Sequence, residues 1–220
     1  MKSTNKTKYE GLSLIEMIIT LLIVGMVLVV TSSTLAALIK ASAIASAKTM
    51  SRSETEFILE LLEKSIMNSQ SEQIVMLSTE RFLTSEGEII GNTNVTEVPF
   101  GGAQFANEIH YRPVRTSEWV CIGFVKGGDG TDFQGQGFIV KGYSDVQNNN
   151  CLMNGPVVIL SADEIDIQEF DIYGYTTSLG NYTFIIDMTV KPIYWIPGRQ
   201  SVIQPEYTRQ LIVSTRRLIY

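Results

Sequence analysis

The sequence lacks the residues that most enzyme and metal sites require. Its 220 residues include one histidine, His110, and two cysteines, Cys121 and Cys151. No group of histidines and cysteines has zinc-ligand spacing, and no glycine-rich segment ends in the Gly-Lys-Ser/Thr of a phosphate-binding loop. A nucleophile–histidine arrangement would have to use His110, which lies in a predicted strand without a nucleophile motif nearby. We therefore predict that the chain is not an enzyme and needs no cofactor.

Positive charge is also scarce. Lysine and arginine total 17 against 23 aspartates and glutamates, so the formal net charge is −6. Attachment to phosphates relies on lysine and arginine. Direct binding of nucleic acid is therefore not expected.

Proline is absent between Leu12 and Asn68, and one long helix is predicted through this region. Within it, Met17–Ile39 has no charged residue and is long enough to span a bilayer, which takes roughly 20 mainly apolar residues, although Thr31-Ser-Ser-Thr34 makes the strictly apolar part shorter. We expect a transmembrane segment at about 14–39. Lysines precede this segment, which predicts a cytoplasmic N-terminus and an exported remainder (Lys2, Lys6 and Lys8).

A motif stands directly before the apolar segment. The stretch Gly11-Leu12-Ser13-Leu14-Ile15-Glu16, behind a short basic leader, resembles the cleavage and methylation motif of type IV prepilins and type II secretion pseudopilins. The resemblance implies that residues 1–11 are a leader, removed by a prepilin peptidase between Gly11 and Leu12. It also implies N-methylation of Leu12. Glu16 becomes the fifth residue of the mature chain, where this family uses a glutamate in filament assembly.

The same resemblance implies partners and a location. The partners are other pilin or pseudopilin subunits, the prepilin peptidase, an inner-membrane assembly platform and membrane lipid. The chain would be a single-pass membrane protein whose exported head enters a periplasmic or cell-surface filament. Family members usually have phenylalanine at the position of Leu12, and major pilins have proline at the position of Ser33. Leu12 bears on methylation alone, whereas the absence of this proline and the large head together resemble a minor pilin or a J-type minor pseudopilin.

The long helix followed by a series of strands predicts an α+β fold, and the resemblance implies that its general plan is pilin-like. The helix should occupy residues 12–70, and a β-rich head should occupy residues 71–220. An apolar stripe at helical spacing is predicted to pack on an antiparallel sheet (Phe57, Ile58, Leu61, Leu62 and Ile66). Alternating segments predict strands at Ile165–Tyr173, with a bulge at Gln168-Glu169, and at Tyr182–Val190 and Tyr207–Leu218.

Two further candidates lie in the head. Cys121 and Cys151 are predicted to form a disulfide after export, in preference to two free buried thiols. Asp129 and Asp132, in a glycine-rich turn, could supply oxygen ligands to calcium. The glycines make the same turn without metal, and we predict none.

An alternative function keeps the apolar segment as a plain anchor. The chain would then be a membrane-tethered exported binding domain with an uncleaved signal anchor. This alternative leaves Gly11 and Glu16 without an explanation. The N-terminus of the mature protein distinguishes the two, since it is Leu12 in the first case and Met1 in the second.

Overall fold

The computed structural model describes residues 13–91, 95–116, 118–145, 150–151, 157–161, 165–177, 181–193 and 206–215. Within these ranges the chain forms one α-helix, α1 (Leu14–Met67), and twelve β-strands. It divides into two compact units, one extending to Ala45 and the other beginning at Ser46. The predicted α+β class is confirmed at this level, and the pilin-like plan stays a prediction.

The first unit is helical from Leu14 onward, as the uncharged apolar run predicts. Every described residue from Ser13 to Ile39 is exposed to solvent. Among the described residues this is the one helix that is long and apolar enough to cross a membrane.

In the second unit, α1 buries a stripe that differs in part from the prediction. Ile58, Leu62 and Ile66 are completely buried as expected. Phe57 is 52% exposed, so its assignment to the stripe was wrong. The buried stripe instead begins further upstream, at Ser51, and its residues recur every three or four positions. Phe57 lies on the neighbouring face of the helix. The buried residues of α1 are Ser51, Thr55, Ile58, Leu59, Leu62 and Ile66.

Nine strands form the larger sheet, in which β6 is central. Their bounds are β1 Ser69–Ser78, β2 Phe82–Leu83, β3 Ile89–Ile90, β4 Thr96–Glu97, β5 Glu108–Pro113, β6 Val120–Gly127, β7 Gly137–Asp145, β8 Asn150–Cys151 and β9 Val158–Ile159. Strands β1, β5, β6 and β7 pair antiparallel as predicted, but β2 pairs with β6 in parallel. The sheet is therefore mixed. Short strands such as β2 and β3 offer no alternation long enough to be found in sequence.

A separate three-stranded sheet has the order β10-β11-β12. Its strands are β10 Ile165–Thr176, β11 Tyr182–Pro192 and β12 Tyr207–Ser214. The register shifts between Ile167 and Glu169, which confirms the predicted bulge. The predicted end of the last strand at Leu218 lies outside the described residues.

One main core joins the stripe of α1 to both sheets. Ile58 and Leu62 of α1 cluster with Ile109 of β5 and with Phe170 and Phe184 of the smaller sheet. A second, smaller cluster contains Cys121, Val125 and Val140. In β5 and β6, residues two apart share a face of the sheet. The face of β5 opposite Ile109 therefore carries Glu108 and His110 toward the smaller cluster.

Candidate functional site

The first helical turn of α1 holds Glu16 in a capping box. The backbone N–H of Ser13 donates to Glu16 Oε2 at 2.8 Å. In return, the backbone N–H of Glu16 lies 3.4 Å from Ser13 Oγ and donates to the Ser13 carbonyl at 3.0 Å. This reciprocal pairing satisfies donors that a helix N-terminus otherwise leaves open, and the carboxylate lies where the helix dipole favours negative charge. The Ser-x-x-Glu pattern is visible in the sequence, but its capping role was not predicted.

Beyond Glu16, α1 presents apolar side chains on all sides. The exposed fraction is 79% for Leu14, 72% for Leu21 and 71% for Val29, and no large apolar residue of this segment is buried. A helix that is hydrophobic all round is stable in lipid or among other helices rather than in water. Because these apolar side chains are exposed, the described residues of the first unit provide no partner for this surface within the chain.

The hydroxyl groups in this segment are satisfied inside the helix. Thr31 Oγ1 donates to the carbonyl of Val27 at 2.8 Å, and Ser33 Oγ donates to that of Val30 at 2.8 Å. Thr34 Oγ1 donates to the carbonyls of Val30 and Thr31. Such bonds to carbonyls one turn back lower the penalty of placing hydroxyls in an apolar medium. The polar residues at 31–34 are thus compatible with burial in lipid.

The cleavage site itself lies outside the described residues, which begin at Ser13. Gly11 and Leu12, predicted as the cleavage site and the methylated residue, are therefore not placed. Glu16 lies four positions after Leu12, at the described start of the helix. Its role in assembly stays a prediction.

The second unit contains a buried polar cluster that was not predicted as a whole. We call it the Glu108 network; it consists of Thr79, Arg81, Glu108, His110 and Ser144. Arg81 donates to both carboxylate oxygens of Glu108, with Nε–Oε2 at 2.5 Å and Nη2–Oε1 at 2.9 Å. His110 Nε2 lies 2.5 Å from Glu108 Oε1, and His110 Nδ1 lies 2.5 Å from Ser144 Oγ. The side chains of Arg81, Glu108 and His110 are inaccessible to solvent.

The carboxyl of Glu108 is held in its charged form. Burial by itself raises the pKa of this carboxyl, because a charge is poorly solvated there. The hydrogen bonds from His110 and Arg81, together with the positive charge of Arg81, outweigh burial and hold the pKa below its ordinary value. Gly123 lies opposite Glu108 in the β5–β6 pair, and a Cβ there would approach Glu108 Cγ to 3.0 Å. The glycine thus leaves room for the carboxylate.

The order Ser144–His110–Glu108 resembles a catalytic triad in connectivity but not in environment. Arg81 already neutralises Glu108, so the carboxylate is poorly placed to stabilise a protonated His110. A cavity of about 380 Å³ borders Arg81, and its lining residues include neither His110 nor Ser144. The network is better described as a buried ion pair that links Arg81, directly before β2, to Glu108 at the start of β5. That the chain is not an enzyme stays a prediction.

The two cysteines lie on strands of the larger sheet. Cys121 on β6 is opposite Gly142 of β7, and Cys151 on β8 is opposite Ser144 of β7. The side chain of Cys121, which the structure describes, is not a free thiol. The side chain of Cys151 lies outside the described residues, so the disulfide stays a prediction.

The calcium candidates lie in the turn region between β6 and β7. Asp129 Oδ1 accepts a hydrogen bond from Gln134 Nε2 at 2.8 Å, and both Asp129 and Asp132 are exposed. The described residues contain no group of three or more histidine, cysteine, aspartate or glutamate side chains that could hold a metal ion.

Comparison with protein-family models, with curated proteins and with solved structures found no match for this chain. The resemblance of residues 11–16 to prepilins is thus carried by the motif and by the helix that follows it. The family and the function of the chain are therefore proposals.

Proposed function

We propose that the chain is a structural subunit, a minor pilin or pseudopilin, of a type IV pilus-like or type II secretion filament. A prepilin peptidase removes residues 1–11, and the mature chain assembles through its N-terminal apolar helix. The head is exported, and the filament lies in the periplasm or on the cell surface.

The observation that supports this proposal most strongly is the exposure of α1 from Leu14 to Ile39. This surface is apolar on every side, its hydroxyl groups are satisfied internally, and its one carboxylate lies in the first helical turn. Membrane insertion accounts for the apolar length. It does not require a glutamate at the start, which carries a penalty in lipid unless it has a partner. Assembly with a neighbouring subunit accounts for both features.

The partner of Glu16 in the filament is the α-amino group of Leu12 on an adjacent subunit. Cleavage after Gly11 creates this amine. At about 4 Å and an effective dielectric constant near 20, such a pair attracts by roughly 4 kcal/mol before desolvation. In the single chain, one oxygen of Glu16 accepts from Ser13, and the other is available to a second donor. Glu16 can therefore cap its own helix and pair with the amine of an adjacent subunit at the same time.

The remaining partners follow from the proposed processing and assembly of the chain into a filament. The subunit is held by inner-membrane lipid, processed by the peptidase, delivered by an assembly platform and packed against other pilin-like subunits. Nucleic acid is not among the proposed partners, because the chain is net acidic.

Processing of a glycine variant tests the proposal. In Gly11→Val, coexpressed with a prepilin peptidase, cleavage should be lost, since a branched side chain replaces hydrogen at the scissile bond. The measurement is the N-terminal sequence and intact mass of the purified protein. The control is Gly25→Val, because a Cβ at Gly25 has no atom within 4 Å, and this variant should be processed normally. A wild-type protein that retains Met1 supports an exported binding domain with an uncleaved signal anchor instead.

A further inference from the structure

The smaller sheet has one face in the core and one face exposed. Phe170, Phe184 and Met188 point into the main core. On the opposite face, pairing across β10, β11 and β12 forms two adjacent rows of side chains, Tyr173–Ile185–Ile212 and Asp171–Asp187–Gln210. We call this the carboxylate face and define it by Phe105, Asp171, Tyr173, Asp187 and Ile212.

The first row makes the carboxylate face partly apolar. Ile212 is 62% exposed and Phe105 is 50% exposed. Phe105 contacts Tyr173 edge-on, with ring centroids 6.3 Å apart, and thereby extends the row beyond β10. Ile185, between Tyr173 and Ile212, is partly exposed. Contiguous apolar surface of this kind marks an interaction site more often than isolated exposed residues do.

The second row brings like charges together. Asp171 lies directly opposite Asp187, and Glu169 is exposed two residues before Asp171. Like charges at opposed positions destabilise a sheet. Burial, followed by the charges of Glu169 and Asp187, raises the pKa of Asp171. Asp187 accepts a hydrogen bond from Gln210 Nε2 at 2.8 Å, but none of the three carboxylates forms an ion pair within the described ranges.

The sheet thus carries an unneutralised negative row beside an exposed apolar row. A protein surface that places a lysine or arginine between apolar side chains complements both rows at once. A second copy of the chain is a poor occupant, because the chain has a net charge of −6 and its copies repel one another. An anionic lipid surface would be repelled for the same reason.

We propose that the carboxylate face binds a neighbouring subunit of the filament, different from this chain, through a lysine or arginine flanked by apolar side chains. This inference rests on the proposed function and names the contact surface of the exported head. The cation lies between Asp171 and Asp187, and the apolar neighbours lie against Tyr173 and Ile212.

Carboxylate labelling of the full chain tests this contact. The assembled fraction from native membranes and the purified full chain in detergent are each treated with a water-soluble carbodiimide and glycinamide, and labelled sites are quantified by mass spectrometry. Labelling of Asp171 and Asp187 should fall by on the order of tenfold in the assembled fraction, as expected for a contact worth about 1.4 kcal/mol or more. The exposed carboxylates Glu86 and Glu88 are the control and should label equally in both.

A charge reversal provides a second measurement. Asp187→Lys replaces an opposed like-charge pair with an opposite-charge pair, so the head should fold at least as stably as wild type in urea. Its amount in the assembled fraction should fall by on the order of tenfold, while Glu88→Lys should assemble normally. Unchanged assembly of Asp187→Lys would overturn the inference.

The outcomes separate this inference from the proposed function. If the chain is processed at Leu12 and assembles, but Asp171 and Asp187 label as strongly in the assembled fraction as in the purified chain, the inference fails and the proposed function stands. A crosslink from Asp187 to a lysine of a second copy of the chain would overturn the choice of a different subunit. An unprocessed chain that never enters an assembled fraction would overturn both proposals.

Discussion

Replacing Arg81 with methionine should destabilise the head strongly. The change keeps much of the side chain's length but removes both donors to Glu108, which lie 2.5 and 2.9 Å from its oxygens. Both side chains are fully buried, so the carboxylate would remain out of water without its cation. Removing one partner of a buried pair costs about 3–5 kcal/mol. We expect Arg81→Met to lose an amount in this range from its free energy of unfolding.

Urea unfolding of the full chain in detergent, followed by tryptophan fluorescence, measures this loss. The matched control is Lys64→Met, which removes the pair between Lys64 Nζ and Glu60 at 2.6 Å. That pair is exposed on one helix face, and such pairs contribute only about 0.3–0.5 kcal/mol. In the double variant Arg81→Met/Glu108→Met, no buried charge remains uncompensated, so part of the loss should be recovered.

The pH dependence gives an independent check on the same pair. The folded-state pKa of Glu108 lies below its unfolded value, so its contribution to stability is present above the unfolded pKa and is lost as pH falls through the folded pKa. In Arg81→Met burial acts with less opposition, and the folded pKa should rise. The variant's loss of stability relative to wild type should therefore shrink on acidification. A loss below about 1 kcal/mol, or an unchanged loss at low pH, would refute the assigned role.

Three further outcomes are expected. Glu16→Gln keeps a side chain that can cap the helix but cannot neutralise an amine. The variant should therefore be processed and folded but should fail to associate with other pilin-like subunits. Assembly equal to wild type, measured by crosslinking, would contradict the charge pairing. Alkylation of the protein from native membranes should find no free thiol at Cys121 or Cys151 until reductant is added, and two free thiols without reductant would contradict the disulfide. Gly123→Ala should destabilise the head by about 1–3 kcal/mol in urea, because its Cβ crowds Glu108; a change near zero would show that the carboxylate can shift.

The sequence by itself determined the features that depend on neighbours along the chain. Absence of proline and charge from Met17 to Ile39 was sufficient for the apolar helix, because helix formation depends on residues within a few turns. Alternation predicted β10 and β11, and the slip at Gln168 predicted the bulge. The capping box between Ser13 and Glu16 was also present as a local pattern, although its meaning became clear only from the hydrogen bonds.

Only the tertiary structure decided which distant residues meet. Arg81 and Glu108 are 27 positions apart, and His110 and Ser144 are 34 apart, so no periodicity in the sequence relates them. The opposition of Asp171 and Asp187 depends on the strand register, since a one-residue slip would move one of them to the other face. Phe57 was assigned to the core by its apolar character, whereas the contacts of α1 with the sheets selected a neighbouring face. Burial and charge pairing at these positions are properties of packed elements, and packing is set by the whole fold.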